Sequence, residues 1–186
     1  MVDRNNIVNL LTRFFTIKGE YQIDPHTGEV NVDGDVQLNK PVDQMPIKFD
    51  SCTGKFLCMN QKLTTLQGAP HHVGGDFSCS YNLLHDLEGA PKTVQGNFYC
   101  FDNRFTSLNG APDHIQRGMM CDYSDHLPLL RTLNSKGPIK LVSASEKPVP
   151  EQVRQILNRY AGQGQQGALA CAAELADAGF KGNARW

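Results

Sequence analysis

The side chains best suited to chemistry are six cysteines, and four of them recur at one fixed spacing. Cys58, Cys79, Cys100 and Cys121 are separated by 21 residues each. In a stack of equivalent strands such a column rises by about 4.8 Å per level, more than the ~3.8 Å Cβ separation of a disulfide. No CxxC motif or compact Cys/His cluster occurs, as a zinc site would need. We therefore expect reduced thiols that act as small buried apolar groups, with no metal and no cofactor.

Cys171 is the one cysteine whose context raises the question of nucleophilic catalysis. It lies in the alanine-rich stretch 168–178, near Glu174, and the C-terminal segment contains no histidine. A catalytic thiol needs a base and a lowered pKa. The sequence thus favours a packed helical thiol, and a cysteine-dependent enzyme is only a distant alternative.

The histidines provide a weaker signal. His72 and His114 fall in one column of the repeat but are two levels apart, roughly 10 Å, which is too far to share one ion. His71 and His72 are expected in a turn on the back of the protein. A net charge of −1 and a pI near 6.6 give no basic surface for general nucleic-acid binding.

Large apolar residues at outward-facing strand positions are the sharpest indication of function. The strand around Gly75–Cys79 alternates, so Phe77 and Cys79 face the core while Ser78 and Ser80 face out. By the same parity, neighbouring levels place an apolar stripe on the concave strand face, and such a stripe is typical of a protein-binding surface. The candidate partner-binding residues are Leu57, Met59, Tyr81, Tyr99, Phe101, Met120 and Tyr123. Self-association, or covering by the terminal helices, would also account for this stripe.

These residues belong to a 21-residue repeat that organises the chain. Copies begin at Leu63, Leu84 and Phe105, and a diverged copy covers 42–62. Repetition at a fixed short period predicts a solenoid in which each level contacts its neighbours. The three copies that begin at Leu63, Leu84 and Phe105 each carry a Gly-Ala-Pro motif, where glycine allows a tight turn and proline favours an extended path.

The repeat F-x-C-x-x-N-x-L-x-x-L-x-G-A-P-x-x-V resembles a leucine-rich repeat over about 42–129, with Phe and Cys in two leucine columns. Its short, proline-containing back is similar to bacterial effector-type and bacteriophage-encoded repeats. The resemblance implies a curved parallel sheet on one side and irregular segments on the other. It also implies a phage- or bacterium-encoded protein that modulates or inhibits a host protein. Polar residues interrupt the first twenty positions, which therefore do not resemble a signal-peptide core, and we expect an intracellular, cytoplasmic protein.

The remaining segments predict caps at both ends. Residues 1–41 read as a helix from Asp3 to about Phe15, followed by a β-hairpin over Tyr21–Val32 that leads into the first level. Residues 42–133 hold the repeats (42–62, 63–83, 84–104, 105–125 and a partial copy), and 134–148 form a connector with a closing strand. Residues 149–186 read as two helices, the second ending at Gly179. The predicted fold is an α+β solenoid, and a homodimer through the apolar stripe is the alternative to a separate protein partner.

Overall fold

The chain forms a parallel β-solenoid of about five turns, with one helix before it and two helices after it. A computed structural model describes residues 2–143 and 147–186. The predicted α+β solenoid and its 21-residue spacing are thereby confirmed. Of the predicted connector, residues 144–146 lie outside the described residues.

The N-terminal cap is a helix followed by a hairpin. Helix α1 spans Arg4–Phe14, and the Asp3 carboxylate accepts a hydrogen bond from the Asn6 amide at 3.0 Å. Strands β1 (Phe15–Ile23) and β2 (Val30–Leu38) then pair antiparallel, over a longer span than the sequence indicated. Val36 pairs with Phe56, so β2 is the first level of the solenoid, as predicted.

Two ladders of parallel strands start from β2. Its second half begins the first ladder, which continues through β4 (Phe56–Leu57), β6 (Phe77–Ser78), β8 (Phe98–Tyr99), β10 (Met119–Tyr123) and β11 (Ile139–Ser143). Its first half begins the second ladder, which continues through β3 (Phe49–Cys52), β5 (His72–Val73), β7 (Thr93–Val94) and β9 (His114–Ile115). Each complete turn thus contains two short strands with a corner between them.

The second ladder corrects the expectation of irregular backbone on the proline side. His72 lies in β5, where it pairs with Ser51 on one side and Thr93 on the other, and not in a turn. Proline removes one amide donor, but the next residues remain free to pair. Val73, at the following position, is buried and supplies the apolar side chain that holds this ladder to the core.

Glycines at the corner allow the levels to stack backbone on backbone. The Gly96 amide donates to the Gly75 carbonyl at 2.9 Å, and the Gly75 amide donates to the Gly54 carbonyl at 2.8 Å. A Cβ atom added at Gly96 would lie 2.5 Å from the Gly75 carbonyl oxygen, well inside van der Waals contact. The corner therefore requires glycine where one level lies directly on the next.

Inside the solenoid the predicted columns stack as continuous rows. The rings of Phe56 and Phe77 are 5.8 Å apart and nearly parallel, and those of Phe77 and Phe98 are 5.4 Å apart. Asn82 lies buried beside them and bonds backbone groups with both ends of its amide. Its oxygen accepts from the Gln61 and Leu63 amides, and its nitrogen donates to carbonyls of two successive levels. Burial of Asn82 is thus fully compensated by hydrogen bonds.

The C-terminal end is covered by helices. A 3-10 helix at Leu130–Asn134 is followed, after β11, by α2 (Glu151–Tyr160) and α3 (Gly164–Asp177). The Gly179 backbone has φ +91° and its amide donates to Ala176, as predicted for the position after a helix. The Asn158 amide group both accepts from the Ile139 amide and donates to the Ile139 carbonyl, at 2.8 and 2.9 Å. This contact pairs backbone groups that β11, as the last strand, would otherwise expose.

Candidate protein-interaction surface

The outward positions of the first ladder form two adjacent rows. We call this area the outer strand face. The strand register places Leu57, Ser78, Tyr99 and Met120 side by side in the first row. Strand parity predicts that Leu57, Tyr99 and Met120 share this side of the strands, and the observed register brings them together. All three are partly buried by their neighbours.

The second row contains the most exposed apolar groups of this face. Met59 is 41% exposed, and Phe101 lies two levels further along in the same row. Tyr81 sits where the chain leaves the strand and is 47% exposed. Its ring packs edge-on against Phe101, with centroids 5.1 Å apart and an interplanar angle of 76°. Met59 and Tyr81, with the partly buried Phe101, thus provide accessible apolar area on a backbone held by hydrogen bonds from both sides.

Tyr123 does not belong to this exposed surface, and its predicted place there is wrong. Its side chain is only 4% exposed, and its hydroxyl donates to the Asp125 carboxylate at 3.1 Å. The reason is a difference in backbone. Tyr81 has φ 59°, so the chain turns away from the strand, whereas Tyr123 continues β10 and pairs with Ser143 of β11.

The two serines expected to point outward are also buried. Ser78 is 5% exposed and Ser80 is fully inaccessible. Each lies between levels that carry much larger side chains, so its short side chain ends below the surface that the larger ones form. The Ser78 hydroxyl lies 4.0 Å from the Met59 sulfur. Residue size, and not strand parity alone, therefore determines which outward positions a partner can touch.

Helices α2 and α3 pack at the C-terminal end of the solenoid and leave the centre of this face uncovered. Helices α2 and α3 pack against the 3-10 helix and β11, through Ile156, Leu157 and Leu175. At that end α2 borders a cleft of about 640 Å³ whose lining includes Met120, Lys140 and Arg154. Met59 and Tyr81 remain exposed in the described structure.

One acidic group in the second row is unusual because it is buried. The Asp122 carboxylate accepts hydrogen bonds from the backbone amides of Asp102 at 2.7 Å and Asn103 at 3.0 Å. Burial raises the pKa of Asp122, and these two bonds oppose that rise. Because both of its oxygens accept hydrogen bonds inside the protein, Asp122 stabilises the backbone of the preceding level and is not available to a partner.

The cysteines are all free and buried, as the sequence analysis expected. Burial raises the pKa of both Cys52 and Cys171 to about 11. For Cys171 the nearby Glu174 raises it further, the opposite of what an activated thiolate requires. The geometry therefore favours a packing role for these thiols.

The histidines are placed by their hydrogen bonds. The His72 Nδ1 atom lies 2.7 Å from the Thr93 hydroxyl, which separates His72 from His114 in the ladder. Among residues 2–143 and 147–186, no three His, Cys, Asp or Glu side chains converge as a metal site would require. In the same ranges, no helix has both the length and the apolar character needed to cross a membrane.

One exposed apolar residue was not predicted from the sequence. Leu169 in α3 is 86% exposed, while Cys171 and Leu175 of the same helix are buried. A helical projection contains the signal, since residues 169 and 171 differ by about 200° around the axis. The alanine-rich composition hid it, because small apolar residues occupy both faces.

Comparison of the chain with protein-family models, curated proteins and solved structures finds no match.

Proposed function

We propose that this protein binds a protein partner through its outer strand face, with Met59, Tyr81 and Phe101 as the central contacts. The observation that supports this most strongly is the edge-on pair of exposed Tyr81 and partly buried Phe101, with exposed Met59 on the same face. Tyrosine and other large apolar groups are enriched where proteins bind one another.

The scaffold adds to this proposal because it holds the surface rigidly. The Tyr81 amide donates to the Phe101 carbonyl at 3.0 Å, so the two aromatic residues are linked by backbone as well as by their rings. A surface already ordered before binding loses little conformational entropy on association. The outer strand face is therefore suited to recognising apolar side chains of a folded partner.

The resemblance to effector-type and phage-encoded leucine-rich repeats narrows the proposed partner. We propose a cytoplasmic protein of a bacterial host, whose activity the bound solenoid modulates or inhibits. This step is an analogy, since one fold supports many functions. The residues proposed to make contact do not depend on it.

The test compares two variants of the purified chain. Tyr81→Ala with Phe101→Ala removes the central contacts, and Leu169→Ala removes an equally apolar, exposed group on α3. Each immobilised protein is used to capture partners from a bacterial lysate, and captured proteins are identified by mass spectrometry. We expect a partner that is captured by wild type and by the α3 variant but is lost with the double variant.

The affinity of an identified partner then makes the result quantitative. Truncation of a central aromatic contact typically costs about 2 kcal/mol or more, so the double variant should bind at least ~30-fold more weakly by calorimetry. Equal affinity of the wild type and a correctly folded double variant, judged by circular dichroism, would refute the proposal. If the double substitution instead lowered the molecular mass measured by light scattering from dimer to monomer, a homodimer through this same face would replace the proposed separate partner.

A further inference from the structure

The two ends of the solenoid differ in whether the outer backbone groups of the terminal strand have hydrogen-bond partners. At the C-terminal end Asn158 bonds to the outward amide and carbonyl of Ile139 in β11, and α2 packs beside this strand. At the N-terminal end β1 pairs with β2 on one side only. Its other edge has no strand partner among the described residues, while α1 packs against the core and β1 at the same end. A strand edge without a partner presents backbone groups that can pair with another strand.

The hydrogen-bond pattern shows which residues form this edge. The Asn39 amide donates to the Phe14 carbonyl at 2.8 Å, and the Asp24 amide donates to the Glu29 carbonyl at 2.9 Å. In an antiparallel pair the direction alternates residue by residue, so even-numbered residues of β1 bond to β2. Ile17, Gly19 and Tyr21 therefore direct their backbone groups outward, and no described residue bonds to them there.

The side chains along this edge are incompletely covered. Tyr21 is 39% exposed although it pairs with Val32, which is buried, and Ile17 is only half-buried. Both lie on the core side of β1. On the opposite side Lys18 and Glu20 are exposed. The edge thus exposes apolar groups on one side and charges on the other.

The sequence of this edge is complementary to itself when two copies run antiparallel about Gly19. Opposite Lys18 lies Glu20 of the second copy, and opposite Ile17 lies Tyr21 of the second copy. Thr16 is then opposite Gln22, and Phe15 is opposite Ile23. Every pair matches apolar with apolar, polar with polar, or cation with anion, as stable cross-strand pairs do.

Neighbouring registers fail on charge. Because only odd-numbered residues direct hydrogen bonds outward, the register can shift only in steps of two. One such shift sets Lys18 against Lys18 of the second copy, and the other sets Glu20 against Glu20. Like charges directly opposite are destabilising. The opposite charges of Lys18 and Glu20, on either side of Gly19, therefore favour the register centred on Gly19.

The bend in β1 selects the same register. Gly19 and its partner Gly34 have φ of 139° and 146°, where the hairpin turns the corner of the solenoid. A twofold axis through Gly19 superimposes the corner of one copy on the corner of the other. In any shifted register the bend at Gly19 of one copy would lie opposite a straight part of β1 in the other copy.

We infer that a second copy of this chain pairs with β1 about Gly19, which stacks two solenoids end to end in a twofold dimer. Such an interface is isologous, because the same strand serves both partners. It would add about six backbone hydrogen bonds through the outward groups of Ile17, Gly19 and Tyr21. The outer strand face of each copy stays free, so the dimer would present two partner-binding faces.

The test exploits the reversibility of the Lys18–Glu20 pairing. Light scattering and sedimentation of wild type should give a concentration-dependent dimer. Lys18→Glu places Glu opposite Glu at two positions and should weaken the dimer roughly tenfold. Lys18→Glu combined with Glu20→Lys restores opposite charges and should restore the dimer. Lys181→Glu, an equal charge change at an exposed site far along the chain, is the matched control.

Cysteine cross-linking tests the register itself. Residue 18 and residue 20 of the second copy form a non-hydrogen-bonded pair, with Cα atoms about 4.5 Å apart, which suits a disulfide. Lys18→Cys with Glu20→Cys should give a covalent dimer with oxidised glutathione, while Lys18→Cys alone should not. The native cysteines are all buried and do not compete.

Three results would overturn the inference. They are a monomeric wild type up to hundreds of micromolar, a dimer indifferent to the charge exchange, and equal cross-linking by the single and double cysteine variants. Circular dichroism of each variant shows that its fold is retained. The Tyr81→Ala and Phe101→Ala variant should still dimerise, so failure of this inference and failure of the proposed function are distinguishable.

Discussion

Substitution of Asn82 by alanine should be among the most destabilising single changes in the solenoid. The Asn82 side chain is 5% exposed and makes five hydrogen bonds, two accepted at 3.0 Å and three donated at 2.9, 2.9 and 3.3 Å. A hydrogen bond contributes about 1 kcal/mol net, and a buried group left unpaired costs about 1–3 kcal/mol. Because the amides of Gln61 and Leu63 both lose their acceptor, we expect a loss of about 3–5 kcal/mol.

Urea unfolding followed by circular dichroism measures this loss directly. For a chain of this size it corresponds to a fall in Tm of roughly 10 °C. Asn103→Ala should cost less, because its oxygen accepts one bond, at 3.2 Å, and two of its three donated bonds are 3.2 Å or longer. Asn5→Ala, at an exposed helix position, is the control. A loss below about 1 kcal/mol for Asn82→Ala would refute the view that the hydrogen bonds of Asn82 stabilise the solenoid.

Three further predictions test the corner, a helix and the buried thiols. Gly96→Ala should destabilise the fold by about 2 kcal/mol or more in urea unfolding, because its Cβ would lie 2.5 Å from the backbone of Gly75; an unchanged midpoint would contradict the close stacking. Gly167→Ala, inside α3, should lower the urea midpoint despite the better helix propensity of alanine, because the added Cβ would lie 2.7 Å from the Cβ of Gln163, whose position the backbone fixes; an unchanged or raised midpoint would show that the first turn of α3 can move aside. Burial raises the pKa of Cys52 and Cys171 from 9.0 to about 11, so these thiols stay protonated in the folded protein at a pH where they ionise in the unfolded chain. Their contribution to the free energy of unfolding is therefore fully present below pH 9 and is lost as the pH rises to 11. The urea midpoint should fall across that range, and less steeply when both are alanine; equal slopes would exclude these thiols as the cause.

The two proposed surfaces use different parts of the same scaffold. Binding of a partner depends on side chains such as Tyr81 and Phe101, which vary between levels. Pairing of two copies depends on the backbone of β1 and on the charges of Lys18 and Glu20. Because the two surfaces share no residue, changes in one should leave the other intact.

Much of the fold was predictable because each level of a solenoid contacts only its neighbours. The columns Phe56–Phe77–Phe98 and Cys58–Cys79–Cys100 can be read from the 21-residue spacing alone. The cap at Asp3 and the glycine at 179 follow from local preferences of helix ends. The second ladder was not predicted, since His72 and Val73 are too few residues for a period-2 pattern to be recognised.

The candidate surface was predictable only in part. The sequence indicated which residues share the outward side of the strands, because alternation fixes parity. It did not reveal that Tyr81 turns outward with φ 59° while Tyr123 continues a strand and is buried. That difference depends on β11, which comes from a distant part of the chain.

The amino-acid sequence by itself determined the solenoid, its period, its buried columns and the outward position of an apolar stripe, because these depend on local alternation and repetition. Only the tertiary structure decided how much of each outward side chain is exposed and which strand edge is covered. Exposure depends on the size of side chains one level away. At β11 the outward amide and carbonyl of Ile139 are paired by Asn158 of a later helix, whereas the edge of β1 has no such partner among the described residues.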